Sequence, residues 1–431
     1  MERAAVWRGC GCRGRGLGGV SRIRELWDTE DGVPLNTGDG RRPRCPISIE
    51  LATRQGGRTT RAGWPGPRLC SPFGLRPSLI IPMTDVRIGL VGFGRFGANH
   101  AQAISNTEGA TLAGVATRSD ASANAARERF PGARVTTDFR ELVSSEDIDA
   151  VDVALPTYLH FEVAKAALEA GKHVFVEKPM TPSAAECQEL ARIAEANGLI
   201  LAVGFKRRVA QLWSRVKELV EEGVIGDPQF ALFELWRWPY RPGADGWRYD
   251  IDRVGSWELE EPVHCFDKAR WLLGPTAGEI VSVYARANSR QEGKPELHDN
   301  FSAILEFENG AHATISQTLS AWGHCHGLKL TGLDGALSAS WRGASDDAPP
   351  VQSIEYLHSR TREGDPTRID FEPTGELFEL EREMTAFVGA IREGSPVHAN
   401  ARDGIWSIAL CEAAHKSIES GEPVSMKGFQ A

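Results

Sequence analysis

Residues 86–97, VRIGLVGFGRFG, constrain the fold more than any other stretch of the chain. A continuous apolar run, then Gly92-x-Gly94-x-x-Gly97, then the amphipathic RFGANHAQAISN reads as strand, tight turn and helix. In that context Gly92 permits the turn, Gly94 lets a pyrophosphate approach the backbone, and Gly97 allows the helix to pack closely on the strand. Phe93, Arg95 and Phe96 complete the loop, and the helix N-terminus offers unpaired N–H groups to phosphates.

The same alternation continues. TLAGVAT, DAVDVAL, KHVFVEK and LILAVGF are buried strands, and DASANAARERF, YLHFEVAKAALEAG and TPSAAECQELARIAEANG are the helices between them. Continuous apolar strands alternating with helices imply a parallel sheet covered on both faces, an α/β Rossmann dinucleotide-binding domain over residues 83–205. At the tip of the second strand, where an NAD binder usually carries Asp or Glu, stand Thr117, Arg118 and Ser119. A guanidinium beside two hydroxyls suits a 2′-phosphate, so the expected cofactor is NADP or NAD, leaning to NADP. Asp120 reads as the cap of the following helix.

From residue 206 the period shortens. PQFALFELWRW, EIVSVYARAN, DNFSAILEFENGAHATISQTLSA and GLKLTGLDGALSAS alternate as antiparallel strands, with Asn309-Gly310 and Asp334-Gly335 as hairpin turns. Helices are expected over 210–223, 262–274 with Pro262 as first residue, 377–394 and 401–420. Residues 206–431 therefore read as an α+β domain with an open, mostly antiparallel sheet and helices on one face. Residues 1–82 differ from both parts, with fourteen arginines, seven acids and no lysine, and read as a disordered or mis-annotated leader. The net charge of −9 offers nucleic acid no footprint, and no run is long and apolar enough for a membrane span. Eight cysteines without CxxC spacing in the body leave a reducing, cytoplasmic setting as the expectation.

Two stretches carry chemistry. Glu177-Lys178-Pro179 ends a buried strand, where ligands of open α/β sheets bind. GSWELEEPVHCFD, residues 255–267, places Glu258, Glu260, Glu261 and Asp267 around His264. It is either a solvated acidic turn or a proton-transfer histidine with an orienting carboxylate. Glu260, just before the helix, and Asp267, three residues beyond His264, are rival partners.

Together GLVGFGRFGANH, ALPTYLH, HVFVEKPMT, GFKRR and GSWELEEPVHCFDKARWLLG resemble the Gfo/Idh/MocA family of sugar and polyol dehydrogenases, over residues 83–425. The resemblance implies that Lys178 contacts substrate and nicotinamide ribose, with Glu177 beside it, and that Pro156, Thr157 and His160 lie along the cofactor. It also matches His264 to the family's catalytic histidine. Position 260 is Glu where the family pair has Asp, and Pro262 stands where a Gly is usual. The catalytic set expected is Lys178, His264 and Glu260, acting on a sugar, polyol or inositol hydroxyl. The family also implies a homodimer or homotetramer through the second sheet.

Trp236, Trp238, Tyr240, Trp247, Tyr249 and Trp257 crowd in front of the His264 helix. They form either a sugar-stacking wall, with Trp247 and Arg248 on substrate, or a core or interface cluster. Lys206, Arg207 and Arg208 either cap a strand or, Arg207 foremost, reach substrate. His324-Cys325-His326 has the spacing of a metal pair, but no carboxylate cluster completes it and no metal is expected. A different C=O or C=N reductase, or a cofactor-binding sensor without turnover, are the other readings.

Overall fold

The computed structural model of the protein describes residues 84–343, 350–359 and 363–431. The leader expected over residues 1–82 lies outside them. Strands β1 (Val86–Val91), β2 (Ala110–Ala116), β3 (Arg134–Thr136), β4 (Ala150–Val153), β5 (His173–Glu177) and β6 (Leu201–Gly204) form one parallel sheet. Its order, β3-β2-β1-β4-β5-β6, is that of a doubly wound dinucleotide-binding sheet. The crossovers are α1 (Arg95–Asn106), α2 (Asp120–Arg129), α3 (Phe139–Val143), α4 (His160–Glu169) and α5 (Ala184–Ala196). Ser119, not Asp120, caps α2: its hydroxyl accepts from the Ser122 amide, and Asp120 becomes the first helical residue, where its charge complements the helix dipole.

After α6 (Gln211–Glu221) the chain enters a nine-stranded sheet. Its strands are β7 (Pro228–Trp236), β8 (Ile280–Asn288), β9 (Asn300–Phe307), β10 (His312–Thr318), β11 (Cys325–Gly332), β12 (Ala336–Arg342), β13 (Val351–Leu357), β14 (Thr367–Asp370) and β15 (Val424–Ser425). Among the described residues of this sheet, only β7 and β10 pair in parallel. The Asn309-Gly310 hairpin forms between β9 and β10, with Gly310 at φ +88°. Helices α7 (Ile251–Val254), α8 (Pro262–Ala277), α9 (Glu376–Glu393) and α10 (Ala401–Ser420) complete the chain.

The short helices α3 and α7 are absent from the sequence expectation, and two of the expected helices depart from it. Helix α8 runs a turn past Gly274 with Pro275 inside it. A proline interior to a helix leaves the carbonyl four residues earlier without a donor. Here that carbonyl, of Trp271, accepts from Lys217 Nζ at 2.8 Å, and the preceding residue is a glycine with no Cβ to clash. Helix α9 does not cover the second sheet. Its Leu380, Met384, Phe387 and Val388 pack with Ile88, Leu90, Ala150 and Phe175 of the first. Strands β4 and β5 are buried on both faces. Their alternate residues Val151, Val153, Val174 and Val176 face the other core, so α9 supplies the layer that the local crossovers leave open.

Candidate active site

A cavity of about 950 Å³ opens at the carboxyl ends of β1, β2, β4, β5 and β6, closed on its far side by residues of the second sheet and the turn before α8. At one end the glycine loop meets α1. Gly92 adopts φ +106°, and a Cβ there would lie 2.3 Å from the Ala154 carbonyl oxygen. A Cβ on Gly97 would lie 2.2 Å from the Gly92 carbonyl oxygen, whereas one on Gly94 meets nothing within 4 Å and points to open space. Gly94 is also the N-cap of α1, which has no side-chain cap and no acidic residue in its first turn. The open approach at Gly94 and the uncapped amides fit a pyrophosphate. Phe93, Arg95 and Phe96 line the same wall, and Thr117, Arg118 and Ser119 continue it at the tip of β2. Arg118 is largely exposed and its guanidinium lies 3.9 Å from Asp245 across the cavity mouth.

At the other end Lys178 and His264 line one cavity, together with Glu177, Glu260 and Arg207. Lys178 Nζ donates to the backbone carbonyl of Glu260 at 2.8 Å, and its own amide donates to Glu177 Oε2 at 3.1 Å. His264 sits in the first turn of α8, its ring 6.1 Å from that of Phe205, and its Nδ1 has no hydrogen-bond partner. Burial, and then the charges of Arg207 and Lys178, push its pKa well below the usual value.

The acidic stretch is neither a solvated turn nor a set of partners for His264. All four carboxylates are buried and each meets a different base. Glu258 accepts from His298. Glu260 Oε2 lies 3.5 Å from Arg248 Nε. Glu261 accepts from Arg207 at 2.9 Å and from Arg237. Asp267 forms a fork with Arg208, at 2.6 and 3.0 Å. Glu260 therefore does not orient the His264 imidazole. It contributes its backbone carbonyl to Lys178 and its carboxylate to Arg248, because the residues just before α8 are not yet helical. Asp267 is committed to Arg208, which also donates to Asp403 at 3.0 Å.

His160 is likewise displaced from its expected place. It is buried and does not line the cavity. Its Nδ1 lies 2.8 Å from the Pro179 carbonyl oxygen and its Nε2 2.7 Å from that of Leu155, so it ties together the loops after β4 and β5. Pro156 and Thr157 do line the cavity. Next to them the Tyr158 hydroxyl accepts from Arg253 at 3.0 Å, a bridge between the two halves.

The family description "Oxidoreductase family, NAD-binding Rossmann fold" matches residues 86–205, and "GFO/IDH/MocA C-terminal domain" matches residues 213–338. Inositol 2-dehydrogenase of Rhizobium meliloti (strain 1021) is 30% identical over 342 residues, covering 79% of this chain and 99% of that protein. The chain belongs to the Gfo/Idh/MocA oxidoreductases. A putative myo-inositol dehydrogenase structure from Sinorhizobium meliloti 1021 superposes with a TM-score of 0.66 at 28% identity, covering 79% of this chain and 99% of that one. A probable dehydrogenase from Thermotoga maritima does so at 0.67 and 26%, covering 80% and 100%.

This Gfo/Idh/MocA oxidoreductase thus carries an NAD-binding Rossmann fold. Several of its cavity residues have no sequence signature. Glu261, with Arg207 and Arg237, forms a buried ion cluster against His264. Burial alone would raise the Glu261 pKa, but the two guanidinium groups hold it well below the carboxylate range. His326 lies 3.1 Å from Arg207 and packs on Trp341, with His324 Nε2 3.0 Å from its own Nε2. The aromatic stretch divides. Trp247 and Arg248 line the cavity, the guanidinium 4.9 Å from the Trp247 ring. Tyr240, Trp247 and Trp257 form a small core with Tyr249 against it, whereas Trp236 and Trp238 are exposed. Of the basic trio, Arg207 lines the cavity beside Lys178 and His264, Lys206 pairs with Glu376, and Arg208 is buried in its own network. Among the described residues no helix is long and apolar enough to cross a membrane.

Proposed function

We propose that the protein interconverts a secondary alcohol and a ketone on a sugar, inositol or related polyol, with NADP preferred to NAD. The observation that carries this reading is the meeting of Lys178 and His264, whose Nδ1 has no partner, in the cavity that begins at the glycine loop. A nicotinamide cofactor, when bound, supplies the hydride acceptor or donor. The His264 imidazole, kept neutral by burial and by two neighbouring cations, has a ring nitrogen available for the hydroxyl proton. The Lys178 ammonium, anchored on the Glu260 carbonyl, presents positive charge to a developing alkoxide. Trp247 offers an apolar face to sugar C–H groups, and Arg248 offers donors to hydroxyls. The inositol dehydrogenase relative supports the substrate class. Arg118, at the position where NAD binders carry an acid, supports NADP.

A screen of sugars, inositols and other polyols by NADPH or NADH absorbance tests the reading. On the substrate so found, His264→Ala should lower kcat by about 10²–10⁴-fold with cofactor affinity unchanged. Near-full turnover with normal binding would remove His264 from the chemistry, and a lower KM for NAD than for NADP would refute the cofactor assignment.

A further inference from the structure

Glu258 lies two residues before Glu260 and does not line the cavity. It is 1% exposed and held among residues from distant parts of the chain. Its Oε1 accepts from Nδ1 of His298, at the end of the loop leading into β9. Its Oε2 lies 3.8 Å from Nδ1 of His415, on α10. The two imidazole rings are 5.9 Å apart, and one donor atom from each of the three residues lies within 4.8 Å of the others.

This cluster is incomplete as a hydrogen-bonded group. Glu258 Oε2 and His415 Nδ1 are buried and neither has a partner, although they face each other. A separation of 3.8 Å is too long for a hydrogen bond. It is close to the spacing of two ligands on one zinc ion, roughly 3.3–3.5 Å for tetrahedral bonds of about 2.0–2.1 Å. Two imidazoles and a carboxylate are a borderline donor set that suits zinc better than calcium or magnesium. The His415 side chain is 37% exposed as a whole, but its Nδ1 faces the buried carboxylate. Its Nε2 lies 3.6 Å from Glu419 Oε1, the outer carboxylate that orients a ligating histidine. The backbone of Glu258 is fixed as well: its carbonyl accepts from the Cys411 thiol at 3.3 Å.

We propose that Glu258, His298 and His415 form a zinc site separate from the redox cavity. The ion fastens α10 and the loop before β9 to the turn that enters α8. That same turn presents the Glu260 carbonyl to Lys178, so the ion braces the reacting end from behind without touching it.

The test uses the full chain, stripped with EDTA and titrated with zinc chloride against a chromophoric chelator, with thermal unfolding in parallel. One equivalent should bind, and the unfolding midpoint should rise by several degrees at hundredfold excess over Kd. His415→Ala, at a half-exposed helical position, should keep the metal-free circular dichroism and midpoint of the wild type. It should lose about 100-fold or more in zinc affinity and show no thermal shift. Glu258→Gln, which preserves volume, provides a second variant with the same expected loss. No uptake by the wild type overturns the proposal. So does uptake that survives unchanged in His415→Ala or Glu258→Gln, since that zinc belongs to thiols or histidines elsewhere.

Discussion

His100 and His264 are both buried imidazoles, yet their surroundings shift their pKa values in opposite directions. Burial opposes the cation at each. His100 lies between Asp152 at 2.8 Å and Glu177 at 3.4 Å, and these carboxylates outweigh burial and raise its pKa well above the usual value. His264 faces Arg207 and Lys178, which add to burial and lower it. Neighbouring charge, more than depth, decides what a buried histidine does. His100 is held between two carboxylates behind the first sheet, and His264 faces two cations and keeps an Nδ1 without a partner. Glu177 joins the two regions: one oxygen faces His100 and the other accepts from the Lys178 amide.

The strongest way to break this contrast is at His100. His100→Leu strands Asp152 and Glu177 without their cation and should cost about 3–5 kcal/mol in urea unfolding. The double variant His100→Leu/Asp152→Leu should recover part of that loss. A single variant within about 0.5 kcal/mol of the wild type would show that the carboxylates are not paired as the distances imply.

A smaller effect lies in the pH dependence of stability. A histidine whose folded pKa is depressed contributes stability that is complete above its unfolded value of about 6.5 and is lost as pH falls below it. A histidine with a raised folded pKa does the reverse: its contribution is complete below about 6.5 and lost as pH rises toward the folded value. His264→Leu should therefore lose less stability than the wild type between pH 7 and pH 5, by up to about 2 kcal/mol at pH 5. Parallel stability curves would mean that His264 is already solvated in the folded protein.

The smallest expected change sharpens the comparison at the cavity. Arg207→Met removes one cation from beside His264 and should raise its pKa. The acid limb of kcat/KM would then move to higher pH by on the order of one unit. A limb that stays put or moves to lower pH would assign that limb to another group.

Much of the first sheet was legible because its signals are local. The β1–α1 turn needs glycine at positions 92 and 97 whatever surrounds it, and contact with Ala154 and Gly92 itself enforces this. Strands buried on both faces read as unbroken apolar runs, and Lys178 at the end of one stood out for that reason. The short, polar β14 carried no such signal, nor did β13 with its mixed VQSIEYL, and α9 looked like any amphipathic helix. Which sheet an amphipathic helix covers depends on where a bare face remains, which local periodicity does not encode.

The family resemblance supplied the strand-end lysine and the helix-start histidine as candidates, while the chain's own local pattern determined the parallel sheet and the glycine turn for a dinucleotide. These rest on backbone sterics and hydrophobic period, which act within a few residues. Tertiary structure alone decided the partners of the charges. Glu258, Glu260, Glu261 and Asp267 are near neighbours in the chain, but the bend before α8 and the helix itself turn them toward His298, Arg248, Arg207 and Arg208. Electrostatic pairing depends on distance through space and on exclusion of water, and both are set only when the two sheets close on each other.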